Sequence, residues 1–318
     1  MKKNLKYNAV WLAIAVVAYI VIFIAYNTGF VNLFLDAIIV NIGINIILAV
    51  SLNLIIGYSG QFSLGHAGFM AIGAYAVAIL TRYSPVYINF YGGLVIGMVV
   101  AGLIALVVGI PTLRLKGDYL AIATLGVSEI IRIFLVNMRS VTNGPAGIFG
   151  LALFTSWEVV FIFAVLTILV VSNFIRSGSG RAVLSIREDE IAAESMGVNT
   201  TKYKVIAFVL GAMMASAAGS LYTGYQQSVF PSDYDFMKSI DILIIVVFGG
   251  IGSTTGAVVA AIVLGVLNMY LQSFGNLRMI IYALALIIIM IFKPGGLLGT
   301  WEFSVKRLFN KFTKKGEA

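Results

Sequence analysis

The stretch GYSGQFSLGHAGF, residues 57–69, places two serines, a glutamine, four glycines and the only histidine of the chain between two long apolar runs. Two chemistries suit those residue types. In the first, Ser59 of the Gly57-Tyr58-Ser59-Gly60 turn is a nucleophile and His66 its base, the activated pair of a hydrolase. In the second, Gly57, Gly60, Gly65 and Gly68 break a membrane helix or let helices approach closely. Ser59, Gln61, Ser63 and His66 then bond the freed backbone or face a solute. Spacing weighs against the hydrolase. As one continuous helix, residues 59 and 66 lie about 10 Å apart along the axis, whereas a nucleophile and its base meet at about 2.6–3.2 Å. A bent loop would shorten that distance, but Gly-x-Ser-Gly alone is a weak motif and no other histidine is present to act as base.

Other candidate groups are few. A second glycine-rich stretch, FGGIGSTTG at 248–256, repeats the order of apolar run, break and small-residue run, with Gly249, Gly250 and Gly252 in the break, and hints at a parallel duplication. Asn41, Asn45 and Asn53 share helical spacing, as a polar stripe along a pathway or as an interhelical ladder. Ion coupling needs an ionisable group deep in the bilayer with a partner. Asp36 and Asp241 fall near the ends of apolar runs, and Glu129 with Arg132 forms an i,i+3 pair that neutralises itself. None of these reads as a relay. The absence of cysteine excludes disulfides, thiolate chemistry and Cys-ligated zinc. Nothing reads G-x-x-x-x-G-K-[ST], so no P-loop binds ATP in this chain.

The elements that must position these residues follow from composition. Of 318 residues 60% are apolar and 11% charged, and mean hydropathy is +1.02, against about 25% charged residues in an ordinary soluble domain. The fold class is all-α, a polytopic integral membrane protein. Apolar segments long enough to cross about 30 Å of hydrocarbon fall near 9–26, 33–56, 67–82, 92–110, 118–137, 157–175, 205–226, 237–250, 255–273 and 278–293, about ten transmembrane helices. The first is too long for a signal-peptide core and is expected to be retained. All five prolines, Pro85, Pro111, Pro145, Pro231 and Pro294, are expected between or just after the spans. With the N-terminus inside, 16 of the 21 Lys and Arg lie in inner segments, so both termini are cytoplasmic. That bias accounts for the net charge of +8 without nucleic acid. No room remains for a soluble domain, and residues 1–318 read as one transmembrane domain.

The longest inner connection, 176–204, reads RSGSGRAVLSIREDEIAAESMGVNTTKYK. Ser and Gly at 177–180 end the preceding span. The periodicity predicts one amphipathic helix over 181–196, stopped by Gly197 in the left-handed region, with Asn199 or Thr200 capping the next helix. A small surface at Ala192 and Ala193 beside that glycine turn suits docking into a partner's groove.

These residues resemble a known loop. Ala192-Ala193, three residues and Gly197 are similar to the Glu-Ala-Ala-x-x-x-Gly loop by which permease subunits of ABC importers dock their ATPases, with Ile191 in place of the usual glutamate and Glu190 one position earlier. LNLIIGYSGQFSLGHAGFMAIGAYAVAIL at 52–80, GDYLAIATLGVSEIIRI at 117–133, TNGPAGI at 142–148, GRAVLSIREDEIAAESMGVN at 180–199 and FGGIGSTTGAVVAAIVLG at 248–265 extend the likeness over most of residues 40–295. Together they resemble the M-type permease of branched-chain amino acid ABC importers. The resemblance implies a transport subunit of the inner membrane, not an enzyme. It implies as well a second H-type permease subunit, two cytoplasmic ATPase subunits that bind the ATP, and an extracytoplasmic substrate-binding protein that delivers leucine, isoleucine or valine; the mechanism expected on that basis is alternating access, with the binding protein docking at the loop 138–156. It also implies ATPase coupling through Arg187, Glu190, Ala192, Ala193, Glu194 and Gly197, beside a translocation path at Ser59, Gln61, Ser63, His66 and Asn53. Permeases for urea or short amides look similar, and an ion-coupled secondary carrier, with a channel after it, is the alternative from another mechanistic class.

Overall fold

The computed structural model describes residues 2–29, 31–115 and 117–271, and beyond them residues 280, 284, 287, 291, 293 and 295–299. In chain order the elements are α1 (Lys2–Asn27), α2 (Leu33–Asn53), a π-helical turn (Leu54–Tyr58), α3 (His66–Tyr83), α4 (Tyr87–Thr112), α5 (Asp118–Asn137), the short α6 (Arg139–Thr142), a 3₁₀ turn (Gly144–Ala146), β1 (Ile148–Phe149) and α7 (Trp157–Arg176). There follow α8 (Gly178–Glu188), α9 (Glu190–Ser195), α10 (Thr200–Gln226), β2 (Ser228–Val229), a 3₁₀ turn (Pro231–Tyr234), α11 (Phe236–Gly249) and α12 (Thr254–Leu271). The two-residue strands pair antiparallel, Ile148 with Val229.

Helices dominate because a chain in hydrocarbon must satisfy its backbone groups within each segment. Among the described residues six helices are long and apolar enough to cross a membrane: α2 with its π turn, α4, α5, α7, α10 and α12. Nine of the ten predicted segments coincide with described helices. The tenth, 278–293, lies mostly outside the described residues, as do Pro294 and 300–318. Pro111 departs from expectation, since α4 runs two residues past the predicted end and holds it in the last turn. Its missing N–H costs one bond at a helix terminus, where Thr112 Oγ1 donates to Val108 O at 2.8 Å.

The tightest packing joins α3, α4 and α10, through glycines. A Cβ on Gly73 would lie 1.9 Å from Ser216 O, one on Gly219 1.9 Å from Met70 O, and one on Gly97 2.9 Å from Gly73 Cα. Small residues let membrane helices pack backbone to backbone and gain dispersion contacts that lipid cannot supply. The Gly211, Ala215, Gly219 spacing on α10 therefore serves close packing. Ser220 Oγ adds a hydrogen bond to Gly73 O at 3.0 Å, and Phe69 meets Phe208 edge to face at 5.5 Å.

The two ends of the bundle differ. At one end Asp36 accepts hydrogen bonds from the Tyr26 and Tyr225 hydroxyls, Tyr26 stacks on Trp157, and β1 pairs with β2. The other end carries the π turn, α8, α9 and the turn after α11. The connection between α7 and α10 is not the single helix expected over 181–196. It breaks at Asp189 (φ −156°, ψ 111°), whose carboxylate accepts from the backbone N of Ile191 and Ala192 and so caps α9. Three remaining features match the prediction: α7 stops at Arg176, Gly197 takes φ +82°, and Asn199 Oδ1 caps α10 at Lys202 N, 2.9 Å.

Candidate functional site

The first break begins where α2 loosens into the π turn and ends where α3 starts at His66. Its side chains Asn53, Ser59, Gln61, Ser63 and His66 are all buried, between 0 and 3% exposed. The unwound backbone finds its partners on neighbouring helices: Leu64 N donates to Thr124 Oγ1 (3.0 Å) and Ala67 N to Ser239 Oγ (3.1 Å). Gln61 N returns to Ile55 O (3.1 Å). Gly65 and Gly68 are pressed against α5, where a Cβ would lie 2.5 Å from Thr124 O and 2.7 Å from Ser128 Cα, respectively. The break is thus irregular backbone enclosed by protein, the setting in which a membrane tolerates it.

The Ser59 and His66 pair of the hydrolase alternative does not form. His66 Nε2 lies 2.8 Å from Ser51 Oγ, which itself donates to Leu48 O at 2.9 Å, while Ser59 Oγ accepts from Gln61 Nε2 at 2.6 Å. Ser51, Thr124 and Ser239 were missed by sequence reasoning, because isolated hydroxyls in apolar runs carry no local signal. Ser59→Ala strands the buried Gln61 amide nitrogen and Ser51→Ala the buried imidazole nitrogen, each at about 1–3 kcal/mol. Thermal unfolding of the two variants in detergent checks both.

The second break joins the first. Asn53 Oδ1 accepts from Gly252 N and Asn53 Nδ2 donates to Ser253 O, each at 2.9 Å. Tyr58 Oη lies 2.8 Å from Thr254 Oγ1 and accepts from Thr254 N at 3.0 Å. A Cβ on Gly57 would stand 2.4 Å from Gly252 N, and one on Gly249 2.4 Å from Gly256 O. Gly250 (φ +114°) and Gly252 (φ +86°) hold the turn in conformations that other residues rarely adopt. Of the three asparagines sharing helical spacing, Asn41 turns back to Ala37 O and Asn53 crosses between the breaks.

Beside them stands the helical knob α8–α9. Ile191 and Met196 are its most exposed apolar residues, 73% and 84%. Ala192 and Glu194 are exposed too, but Ala193 is buried, so the small surface expected at Ala192 and Ala193 is only half available. α9 is a single short turn-and-a-half, and Ala193 lies on its buried face. Glu190 points back to Lys204 Nζ at 2.6 Å. Arg187 Nη1 donates to Gly57 O at 3.0 Å, so this side chain turns toward the first break.

Elsewhere, an apolar cavity of about 360 Å³ lies between α1, α2, α7 and α12, lined by residues such as Ile22, Ile46, Phe161 and Ile262. It offers no polar group to a zwitterion. Glu129 and Arg132 pair on α5 at 2.7 Å and remain about 30% exposed. Among the described residues no cluster of His, Cys, Asp or Glu is able to hold a metal ion.

The described residues thus form a helical membrane bundle with two interlocked glycine breaks beside a helical knob. The family described as the branched-chain amino acid transport system permease component matches residues 34–292. The high-affinity branched-chain amino acid transport system permease protein LivM of Escherichia coli (strain K12) is 35% identical over 249 residues, 66% of this chain and 59% of that protein. LivH of the same organism is 29% identical over 235 residues, 67% of this chain and 74% of that protein. A probable LivM of Methanocaldococcus jannaschii is 23% identical over 241 residues, 65% of this chain and 68% of that protein. The chain thus spans about three-fifths of the length of the bacterial LivM it matches. No solved structure matches significantly. The chain belongs to the branched-chain amino acid transport permease family, with LivM-type likeness exceeding LivH-type likeness. It is a multi-pass protein of the inner membrane.

Proposed function

We propose that the chain is the M-type permease subunit of an ABC importer that moves leucine, isoleucine or valine by alternating access, and that it has no ATPase site of its own. The observation that carries the reading is the knob: Ile191 and Met196 stand exposed on either side of α9's outer face, next to the Gly197 turn and at the end where both glycine breaks meet. Exposed apolar residues on a small turn suit a partner's groove, and the partner in this reading is a cytoplasmic ATPase pair. The knob end is then cytoplasmic, in line with the basic bias of the inner segments, and the ten-span arrangement with both termini inside follows. The substrate-binding protein docks at the opposite end, around α6, β1 and β2.

A path built from Asn53, Ser59, Gln61, Ser63 and His66 opens when the two joined breaks move together away from the helices packed on them, α5 among these, since all five are enclosed in the arrangement seen here. A half-exposed ion pair facing lipid is costly, so the Glu129–Arg132 face of α5 turns to the H-type permease subunit. A branched-chain zwitterion meets only scattered hydroxyls and amides along such a route, which leaves selectivity mainly to the binding protein.

Purification of the tagged chain from mild detergent tests the reading. ATPase subunits are expected to accompany the parent and to be lost from Ile191→Asp and Met196→Asp, with the variants' unfolding temperatures close to the parent's because both side chains are exposed. No accompanying ATPase, together with uptake by the isolated chain along an ion gradient, would replace the importer by a secondary carrier.

A further inference from the structure

We infer that Arg187 is a positioning residue, a strut that makes the knob and the two glycine breaks move as one body. The inference rests on the permease reading above and adds to it the route by which motion at the ATPase-facing knob reaches the inner mouth of the path.

The geometry is specific to this side chain. The π turn ends α2 without further helix, which leaves carbonyls at that terminus without the N–H partners of a continuing helix. Arg187 Nη1 supplies a donor to one of them, Gly57 O, at 3.0 Å. A guanidinium is favoured there twice over, as a charged donor and as a cation at the negative end of a helix dipole. Two glycines make room for it. A Cβ on Gly60 would stand 3.2 Å from Arg187 Cγ, and one on Gly252 3.0 Å from Arg187 Nη1. Gly57 is itself filled on its other side by Asn53 and Gly252. The guanidinium therefore sits where the first break, the second break and α8 converge.

Its remaining donors hold Glu188, through Nε at 3.1 Å and Nη2, so the charge is balanced on the knob's own surface. Arg187's side chain is 32% exposed and aims inward, whereas Ile191 and Met196 face out. Asn53 then carries the connection onward, because it accepts from Gly252 N and donates to Ser253 O. A displacement of the knob that moves α8 is delivered to the first break through Arg187 and on to the second through Asn53.

The test uses the complete transporter in proteoliposomes, with three readouts: retention of the ATPase subunits, ATP hydrolysis and amino acid uptake. Arg187→Gln is expected to retain the subunits and hydrolyse ATP while uptake falls about tenfold or more, the scale of a lost charge-assisted hydrogen bond. Arg187→Lys, which keeps a cationic donor, is expected to recover a substantial part of the uptake. Uptake by Arg187→Gln within about twofold of the parent, below the effect of one such bond, overturns the strut, as does equal loss in both variants. Loss of the ATPase subunits from Arg187→Gln also overturns it, making Arg187 part of the docking surface while the permease reading stands. If the parent itself retains no ATPase, the permease reading fails instead.

A cross-link gives a second, independent measurement in this cysteine-free chain. A Cβ at residue 60 lies 3.6 Å from Arg187 Cβ, within the roughly 3.5–4.5 Å that a disulfide spans. In the Gly60→Cys, Arg187→Cys double variant, oxidation is expected to raise uptake above that of the reduced form, because a covalent tie replaces the strut. Oxidation that lowers uptake would show that knob and break must separate, and the inference would fall.

Discussion

Gly73→Ala is expected to prevent normal folding of the bundle, an effect that Gly219→Ala, with an equally close backbone contact, should share. The carbon added at residue 73 would lie 1.9 Å from Ser216 O and 2.6 Å from both Ser216 C and Oγ. Two of those atoms are backbone in the middle of α10, so no rotamer change relieves the clash. Helix α4 closes the other side, where Gly97 faces Gly73 Cα. Overpacking a well-filled core costs about 1–3 kcal/mol, and more where the structure cannot shift. Here relief requires parting α3 from α10, which also breaks the Ser220 Oγ to Gly73 O bond. Gly92→Ala on α4 provides the contrast, since nothing lies within 4 Å of its Cβ position; there the helix gains up to about 1 kcal/mol from the better helix former. Size-exclusion profiles and thermal unfolding in detergent measure both. A Gly73→Ala protein as monodisperse and stable as Gly92→Ala would disprove the close backbone crossing.

Asn53→Leu is expected to uncouple the two glycine breaks. The side chain is fully buried and satisfies two backbone groups of the second break, Gly252 N and Ser253 O, each at 2.9 Å. Leucine fills a similar volume but strands both groups, at about 1–3 kcal/mol each. The loss falls on the turn, since the helix that carries residue 53 keeps its own ladder. Hydrogen exchange reads it directly: amides at 250–254 are expected to exchange about tenfold faster or more, given that each 1.4 kcal/mol is a factor of ten, with little change in α4. Asn53→Asp keeps the acceptor for Gly252 N, loses the donor to Ser253 O and buries a charge, so its destabilisation should be at least as large. Unchanged exchange at 250–254 in Asn53→Leu would mean that Asn53 does not hold the turn.

How much of this was legible beforehand can be judged residue by residue. The left-handed Gly197 and the Asn199 cap were readable because capping depends on neighbours three or four positions away. The second helix start at Asp189 depends on the same local chemistry, Asp189 accepting from Ile191 N and Ala192 N. It was overlooked because the apolar rhythm continues on both sides of it. The glycines of both breaks were readable as glycines, but not their neighbours. Gly57 needs its bare Cα for Asn53 and Gly252, and Gly65 for Thr124. Arg187 read as a polar position of an amphipathic helix and, through the resemblance, as one of the residues that couple to the ATPase. Its inward aim depends on the carbonyl of Gly57, 130 residues earlier.

Composition and apolar run length were enough to dictate a helical membrane protein, because hydrocarbon offers no partner for an unpaired N–H or C=O and so permits few other architectures. The same reasoning located the breaks and the knob, since glycine, serine and charge interrupt long apolar runs visibly. Only the packed bundle decided what each polar group does. His66 met Ser51 rather than Ser59, Ala193 went under the knob rather than onto its surface, and Asn53 bridged two segments about 200 residues apart. Local periodicity carries no information about such pairings; they arise when helices distant in the chain are brought within about 3 Å and each buried donor must find an acceptor.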